Sequence, residues 1–456
     1  MATYKTIAKT VKAEDGREIH YSEVLTGLTY ALDLPLAQPA GHTLRTCWIG
    51  MHIGRQLELP PDQLWELYYT LLLKDAGGSR IGSRLFELFY NDDLVVQNAY
   101  RKLNRQQFKD VLRFLNKHAG IYEGTFGQLS RIINLLIQWK AVTAELSKVK
   151  GEAGAEIVKN LDLPEAVAAA VCAVDEHFNG KGQPQGLEGD KIPLYARIAL
   201  LTQVVDAIQA EDGKDAALAE AEGRSGTWFD PQIVAAFKSV AEEDAFWAGL
   251  TCAELRAAVI KLEPKDKVII LTEEKLDDLA QAFAVIIDNK SDFTKGHSAR
   301  VAEYAEAVGK LDGMDMPSLR QLKRAALLHD LGRLGISNAI LDKPVAITKT
   351  EHEMTQKHAV WSEEILGRIS IFRQLAVVAG AHHERLDGLG YPNGKKKDDI
   401  PGDSRIITVA DIYDALTTTR PHRERMDNPK AFEILNGMRD GALEGKYVDL
   451  LRKNVE

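Results

Sequence analysis

Residues Ala325–Arg333 read Ala-Ala-Leu-Leu-His-Asp-Leu-Gly-Arg, and the rest of the chain is best interpreted from this stretch. Its apolar start is typical of a core helix, yet an imidazole and a carboxylate follow at His329 and Asp330. Buried ionisable groups are costly unless they are paired or bound to metal. A second run, at residues 382–385, reads His-His-Glu-Arg. Together the two stretches indicate a borderline transition-metal site.

Composition sets the fold class. The chain has 456 residues, of which 45% are hydrophobic, enough for two or three domains. Ala- and Leu-rich segments dominate over alternating β-branched runs, which predicts a mainly α protein. Residues 4–22 are the exception and predict a small β-hairpin at the N-terminus. Three cysteines lie far apart without CxxC spacing, so neither a disulfide framework nor a zinc-thiolate site is expected.

Charge and hydropathy limit the partners. The net charge is −9 and no long Lys/Arg stripe occurs, so we expect no DNA or RNA polymer as a partner. The N-terminal residues have no apolar signal region, and no apolar run approaches 18 residues. We therefore expect a cytoplasmic protein that neither spans nor binds a membrane.

An internal repeat divides the chain. Residues 41–45 (GHTLR) resemble residues 296–300 (GHSAR), and residues 73–77 (LKDAG) resemble residues 328–332 (LHDLG), both at an offset of 255. Residues 179–184 (NGKGQP) resemble residues 387–392 (DGLGYP) at an offset of 208. The change of offset means that the first copy holds 47 extra residues, which we place within 90–150. The pattern predicts a duplicated helical domain.

The two copies differ where metal chemistry is expected. His329 aligns with Lys74, and a lysine ammonium has no lone pair to give a metal. Three more candidate ligand positions are lost in the first copy: His382 aligns with Val174, His383 with Asp175 and Asp411 with Gln203. We therefore predict that residues 1–262 keep the fold without the metal centre, and that residues 263–456 form the catalytic domain.

The candidate ligands of the second copy lie in segments with helical apolar spacing, and a helical bundle can direct such residues into one core. They are His297, His329, Asp330, His358, His382, His383 and Asp411. Five imidazoles and two carboxylates suit two first-row ions with Asp330 as a bridge, but do not choose among iron, manganese, nickel and zinc. A single histidine in an apolar helix is more often an ordinary residue; the selective loss of four positions in the first copy favours the metal.

At this point the residues resemble a family. The motif His329-Asp330-x-Gly-Arg333, with the downstream run from His382 to Pro392, resembles the HD-GYP subclass of HD-domain phosphohydrolases. The resemblance covers residues 290–430 strongly and the first half as a degenerate copy. It implies two tandem HD-type helical bundles, of which the second hydrolyses a cyclic dinucleotide, chiefly cyclic di-GMP, to the linear dinucleotide or GMP. It also implies two or three metal ions, commonly iron or manganese, and a metal-bridging hydroxide.

Site roles follow from the resemblance position by position. One metal would bind His297, His329, Asp330 and Asp411, and the other would bind Asp330, His358, His382 and His383. Asp330 and Arg333 would be catalytic, and the substrate would contact Arg333, Tyr391, Arg420 and Arg423. Two alternatives stay open: Arg420 and Arg423 as a solvated basic turn, and Tyr391 as a residue that only packs its loop.

Two departures from the family pattern bear on the site. The family usually has lysine where Arg333 stands, which keeps the charge but changes reach and geometry. Members with three metals carry a carboxylate where this chain has Phe293, so we favour two ions, although the nearby Asp292 leaves a third open.

Competing functions remain at this stage. An enzyme that prefers 3′,3′-cyclic GMP-AMP and a non-catalytic cyclic-dinucleotide sensor or scaffold are the alternatives, whereas the long second motif disfavours a hydrolase of linear nucleotides. A homodimer and a signalling-protein partner are both compatible with the sequence.

Overall fold

The computed structural model describes residues 9–13, 15–104 and 107–456. The described chain is built almost entirely of helices, which confirms the mainly α prediction. It divides into two compact units, residues 1–272 and 273–456. The sequence placed the boundary earlier, between residues 262 and 263.

The later boundary has a physical cause in backbone pairing. The N–H of Val11 donates to the carbonyl of Leu271 at 2.9 Å, and the N–H of Leu271 donates to Ile19 at 2.9 Å. The N–H of Tyr21 likewise donates to Ile269 at 2.9 Å. These bonds hold residues 269–271 against the beginning of the chain, so the segment belongs to the first unit.

The predicted N-terminal hairpin is only partly described, because residues 1–8 and 14 lie outside the described residues. Within the described part, Lys12 and Glu18 form an isolated antiparallel bridge. The N–H of Ala13 donates to the carbonyl of Arg17 at 2.9 Å. The described residues of this segment therefore form a short antiparallel turn whose pairing stops at isolated bridges.

The helices of the first unit are α1 (Tyr21–Asp33), α2 (His42–Gln56), α3 (Pro61–Leu73), α4 (Gly82–Phe89), α5 (Asp93–Lys102), α6 (Phe108–His118), α7 (Thr125–Asn160), α8 (Glu165–Cys172), α9 (Leu194–Asp212), α10 (Lys214–Gly223), α11 (Pro231–Ala241), α12 (Asp244–Leu250) and α13 (Leu255–Ile260). Helices α2, α3 and α9 pack on one another. Helices α4, α5, α6 and the first part of α7 enclose an apolar cluster that includes Phe89, Phe114 and Leu135.

The helices of the second unit are α14 (Glu273–Asp288), α15 (His297–Leu311), α16 (Met316–Leu328), α17 (Asn338–Leu341), α18 (Lys349–Gly367), α19 (Arg373–Gly380), α20 (Gly402–Thr417), α21 (Asn428–Gly437) and α22 (Gly445–Val455). A 3-10 helix, Leu331–Gly335, follows α16. Helices α15 and α16 pack together, as do α18 and α19. All four candidate histidine segments therefore converge within one bundle.

Local capping sets where two of these helices begin. The Asp315 side chain accepts from the N–H of Ser318 at the start of α16. Thr348 and Glu351 form a reciprocal capping box at the start of α18. These signals fix the register that brings His329 and His358 into the bundle.

Among the described residues, no helix combines the length and the apolar character needed to cross a membrane.

Candidate metal centre

Asp330 lies at the centre of the candidate site, between the end of α16 and the 3-10 helix Leu331–Gly335, and is fully buried. Its Oδ2 is 3.4 Å from Nε2 of His297 and 3.4 Å from Nε2 of His329. Its Oδ1 is 3.3 Å from Nε2 of His358 and 3.8 Å from Nε2 of His382. The two carboxylate oxygens thus face two different sets of imidazoles.

The remaining predicted ligands join these two sets. Ligand atoms of His358, His382 and His383 lie within 4.8 Å of one another, as do those of His297, His329 and Asp330. The Asp411 Oδ1 is 3.2 Å from the Nε2 of His297. The structure therefore brings all seven predicted ligand residues together.

Several of these atoms are buried without a hydrogen-bond partner. They are the Nε2 atoms of His297 and His329 and both carboxylate oxygens of Asp330, of which Oδ2 has an ion-pair contact with Arg333. Buried polar atoms in native proteins are nearly always satisfied, so orphans that converge on one point indicate an absent group. Lone pairs on imidazole nitrogen and carboxylate oxygen suit a first-row divalent ion. The residues present fit a metal.

Hydrogen bonds at Nδ1 orient the imidazoles. Nδ1 of His329 lies 2.7 Å from the carbonyl of Ala326, three residues back on its own helix. His358 and His382 repeat this arrangement with the carbonyls of Thr355 and Ala379, each at 2.5 Å. Because a carbonyl only accepts, Nδ1 carries the proton and Nε2 offers its lone pair to the site.

Asp414 orients the imidazole of His297 in the same way, since the His297 Nδ1 is 2.7 Å from the Asp414 carboxylate. Arg300 also donates to Asp414. Burial opposes ionisation of Asp414, but His297 and Arg300 outweigh it and lower the pKa of the carboxyl. Asp206 stands 208 positions before Asp414 in the first copy, and this retention together with the contacts fits a structural hydrogen-bonding role.

Electrostatics prepare the site for a cation. Burial raises the pKa of Asp330, but Arg333 and His329 outweigh burial and hold that pKa well below its usual range. Burial lowers the pKa of His383 to about 3, with the nearby His358 adding to the effect. Burial also lowers the pKa of His297, yet the surrounding carboxylates prevail and raise it to about 10. A metal would therefore displace a proton from His297.

The predicted substrate residues are arranged around this centre. A guanidinium nitrogen of Arg333 is 2.7 Å from the Asp330 Oδ2. The ring of Tyr391 lies 4.7 Å from that of His383, centroid to centroid. Burial lowers the pKa of Arg420, and the positive charge of Arg333 lowers it further. His383 is the most exposed of the five imidazoles, so the site opens on its side.

Arg423 occupies a different place from the one expected. Its guanidinium donates to the carbonyls of Ala415 at 2.5 Å and Leu416 at 3.0 Å, in the last turn of α20, and to Glu424 at 2.9 Å. Unsatisfied carbonyls at a helix C-terminus attract such a cation. The guanidinium is therefore engaged with the backbone instead of being directed at a substrate.

Sequence reasoning missed three supporting residues. Asp288 accepts from the N–H and hydroxyl of Ser298 and so fixes the start of α15 beside His297. Glu384 accepts from the N–H groups of Asn393 and Lys395, which holds the loop that carries Tyr391. Gly332 allows close approach, because a Cβ there would lie 2.2 Å from the carbonyl of His358.

The offsets could have revealed two of these residues. Asp33 precedes Asp288 by 255 positions and accepts from the N–H groups of Gly41 and Thr43. Glu176 precedes Glu384 by 208 positions and accepts from the N–H groups of residues 185–187. Identical residues at the repeat offsets therefore mark the supports of the fold.

The first unit has a counterpart of the site in which cations occupy the centre. His42 Nδ1 is 2.6 Å from Asp206, as His297 is paired with Asp414. The ammonium of Lys74 contacts Asp75 and lies 3.4 Å from Nε2 of His42. Arg101, from α5, donates to Asp75 at 3.0 Å.

A third cation stands at another ligand position. Lys150 precedes His358 by 208 positions, a substitution that sequence reasoning missed, and its ammonium is 3.4 Å from Asp175. Among the residues that the structure describes, both groups able to hold a metal lie in the second unit.

Comparison with known proteins identifies the family. The profile of the HD domain matches residues 125–233 and 281–445, more than half of the chain. The chain belongs to the HD-domain family. The second match contains all seven residues around Asp330, and the predicted family is thereby confirmed. HD-domain phosphohydrolases are metal-dependent, in agreement with the unpartnered ligand atoms.

Relatives of this HD-domain chain carry phosphodiesterase names. The 3′3′-cGAMP-specific phosphodiesterase 3 of Vibrio cholerae is 41% identical over 432 residues, which is 95% of this chain and 94% of the relative. A cyclic di-GMP phosphodiesterase of Thermotoga maritima is 34% identical over 163 residues, 35% of this chain and 43% of the relative. A crystal structure of a cyclic GMP-AMP specific phosphodiesterase of V. cholerae has a TM-score of 0.66 and 37% identity, covering 96% of this chain and 99% of that one.

Proposed function

We propose that this HD-domain chain is a metal-dependent phosphodiesterase that hydrolyses a cyclic dinucleotide, with 3′,3′-cyclic GMP-AMP as its preferred substrate. The observation that carries the proposal is the buried Asp330 carboxylate, whose two oxygens face two different sets of imidazole Nε2 atoms. The relative that matches 95% of the chain is named for 3′3′-cGAMP.

Cyclic di-GMP is the second candidate substrate. The sequence motifs put it first, and several relatives that match a smaller share of the chain are named as cyclic di-GMP phosphodiesterases. The two substrates share the phosphodiester and differ in one base, so the metal ligands cannot distinguish them. We propose the linear dinucleotide or mononucleotides as products.

The proposed centre holds two divalent ions, which we take to be iron or manganese. His297, His329, Asp330 and Asp411 would bind one, and Asp330, His358, His382 and His383 the other. Such ions activate a water molecule at neutral pH and neutralise charge on a phosphate group. Asp292 pairs with Lys295 at 2.7 Å and is largely exposed, which supports two ions over three.

The chain's own residues would hold the substrate. We propose that Arg333 and Arg420 contact the phosphate oxygens, because guanidinium groups suit an anion that bears charge on two oxygens. Arg333 pairs with Asp330 here, and it would exchange that carboxylate oxygen for a phosphate oxygen. Tyr391, held beside His383 by the loop that Glu384 fixes, would stack on a base.

For the first unit, we propose a degenerate tandem copy that needs no metal. Lys74, Arg101 and Lys150 would supply the positive charge that the ions supply in the second unit, since each lies beside a buried or partly buried carboxylate. A protein cation satisfies those carboxylates permanently, so the copy would keep its fold without a cofactor. A cytoplasmic location and a signalling-protein partner stay predictions.

The test is hydrolysis by the anaerobically metal-loaded chain. Cyclic di-GMP and 3′,3′-cyclic GMP-AMP are supplied separately and together, and the products are separated by chromatography. We expect both to be cut, with faster loss of 3′,3′-cyclic GMP-AMP in competition, and no hydrolysis by His329→Ala. If neither is cut while His329→Ala binds dinucleotide as tightly as the parent, the chain is a sensor and the enzyme proposal fails.

A further inference from the structure

Helix α7 is longer than its counterpart in the second unit. Helix α18 begins at Lys349, which corresponds to Ala141 at the offset of 208, whereas α7 already begins at Thr125. Residues 125–140 are therefore an added stretch of helix, within the region where the first copy holds its extra residues. The role of this added stretch must therefore lie in the side chains that it carries.

The added stretch is apolar on two faces. On the inner face, Ile132 and Leu135 are buried in the cluster formed with α4, α5 and α6. On the outer face, Phe126 is 90% exposed and Ile137 is 78% exposed, with Leu129 and Ile133 about half exposed. A helix that is hydrophobic on all sides is normally buried on all sides, so the outer face is missing a partner.

The outer face consists of two adjoining rows with four-residue spacing. One row holds the apolar side chains Leu129, Ile133, Ile137 and Ala141, and the other holds Phe126, Ser130, Asn134 and Gln138, with Tyr122 in the turn just before α7. All nine are exposed and none is charged. Two cations border these rows: Arg131 forms a two-bond ion pair with Glu123 at 2.9 and 2.6 Å, and Lys140 is exposed near the C-terminal end of the face.

We propose that this face, from Tyr122 to Ala141, is the contact between two copies of the chain. In a two-fold contact the same patch serves both copies, so the patch must be complementary to itself. An apolar face meets this requirement without a second, oppositely charged patch, and its one exposed charge, Lys140, lies at its C-terminal end. A membrane-binding helix would instead border its apolar face with many Lys and Arg side chains, and an acidic or basic partner would need opposite charges here.

The exposed area is appropriate for such a contact. An aromatic side chain has a total surface of roughly 150–250 Å², and leucine and isoleucine have similar values. Multiplied by the exposed fractions of the apolar side chains on this face, these areas give about 600 Å² of exposed apolar surface per copy. The uncharged polar row raises this toward the roughly 800 Å² per partner of a standard interface. Ridges with four-residue spacing on both helices predict that the two α7 helices cross at about 50°.

The test is the oligomeric state of the chain by sedimentation across a concentration series. We expect a monomer–dimer equilibrium in the parent. Ile133 lies near the middle of the face, so Ile133→Glu is expected to raise the dissociation constant by a factor on the order of 30. The matched control is Leu311→Glu, since Leu311 is 51% exposed and Ile133 is 48% exposed. The control is expected to leave the equilibrium unchanged.

A mixture separates contact between two copies from any other partner. Ile133→Glu and Ile133→Lys should each be monomeric alone and form a mixed dimer when combined, because in a two-fold contact centred on Ile133 the two substituted side chains would meet each other. A parent that stays monomeric, a dimer that Ile133→Glu does not weaken, or a mixture that stays monomeric overturns the proposal. Binding of the parent, but not of Ile133→Glu, to neutral lipid vesicles also overturns it in favour of a membrane contact.

Discussion

Replacement of Lys74 by methionine tests whether a protein cation takes the place of a metal in the first unit. Both Lys74 and Asp75 have fully buried side chains, and their charged groups are in contact. Burial raises the pKa of Asp75, but Arg101 and Lys74 outweigh it and keep that carboxyl ionised. Burial lowers the pKa of Lys74, which Asp75 opposes, so the charge on Lys74 depends on its partner.

The loss in free energy of unfolding depends on which charged groups remain around Asp75 after the substitution. Removing one member of a buried ion pair typically costs about 3–5 kcal/mol. Asp75 keeps Arg101 at 3.0 Å, so we expect the lower end, about 3 kcal/mol. Asp75→Asn strands two cations and should cost more. The double variant should cost less than the sum by about 2 kcal/mol, since the two side chains interact directly.

The assay is urea unfolding followed by tryptophan fluorescence, because five of the six tryptophans lie in residues 1–272. The control is Lys148→Met, which breaks an exposed pair with Glu152 at 3.9 Å. Exposed pairs are worth at most about 1 kcal/mol, so this change should be small. If Lys74→Met costs no more than Lys148→Met, or if a chelator shifts unfolding of the first unit, Lys74 does not replace a metal.

Three further predictions concern individual side chains. Burial lowers the pKa of His42 to about 4 in the folded chain. As the pH falls, His42 is therefore protonated in the unfolded chain before it is protonated in the folded chain. The free energy of unfolding of the parent, relative to His42→Asn, should fall by up to about 3 kcal/mol between pH 7 and pH 4 in the same urea assay. Asp414→Ala removes the acceptor that orients His297 and should weaken metal retention about 10–100-fold in equilibrium dialysis, whereas unchanged retention would assign Asp414 to packing alone. Arg423→Met should lower stability by about 1–3 kcal/mol with KM unchanged, and Arg420→Met should raise KM; the opposite assignment in steady-state kinetics would return Arg423 to the substrate.

The fold class and the residues around Asp330 could be predicted because two independent signals coincide. Helical apolar spacing around each histidine indicated a bundle core. The residues that differ in the first copy, such as Lys74 at the position of His329, then distinguished the candidate metal ligands from the residues that only maintain the fold. Chain order alone does not say which Asp330 oxygen faces which imidazole, because that depends on how α15, α16 and α18 pack.

Other features depend on contacts between distant parts of the chain. Arg101 lies in the extra segment of the first copy and has no counterpart in the second, so no alignment could place it beside Asp75. Arg423 was predicted to contact phosphate. In the structure, its guanidinium group donates to backbone carbonyls at the end of α20. The domain boundary moved to Thr272 because residues 269–271 pair with the N-terminal segment.

The metal content of the anaerobically reconstituted 456-residue chain tests the proposed centre most directly. We predict two ions per chain in the parent and fewer than one in Asp330→Asn, because Asp330 faces both sets of imidazoles. As a control, Asp175→Asn changes a carboxylate of the first unit, at the position that corresponds to His383, and should leave two ions. One ion or none in the parent, or two retained by Asp330→Asn, would contradict a two-metal centre bridged by Asp330.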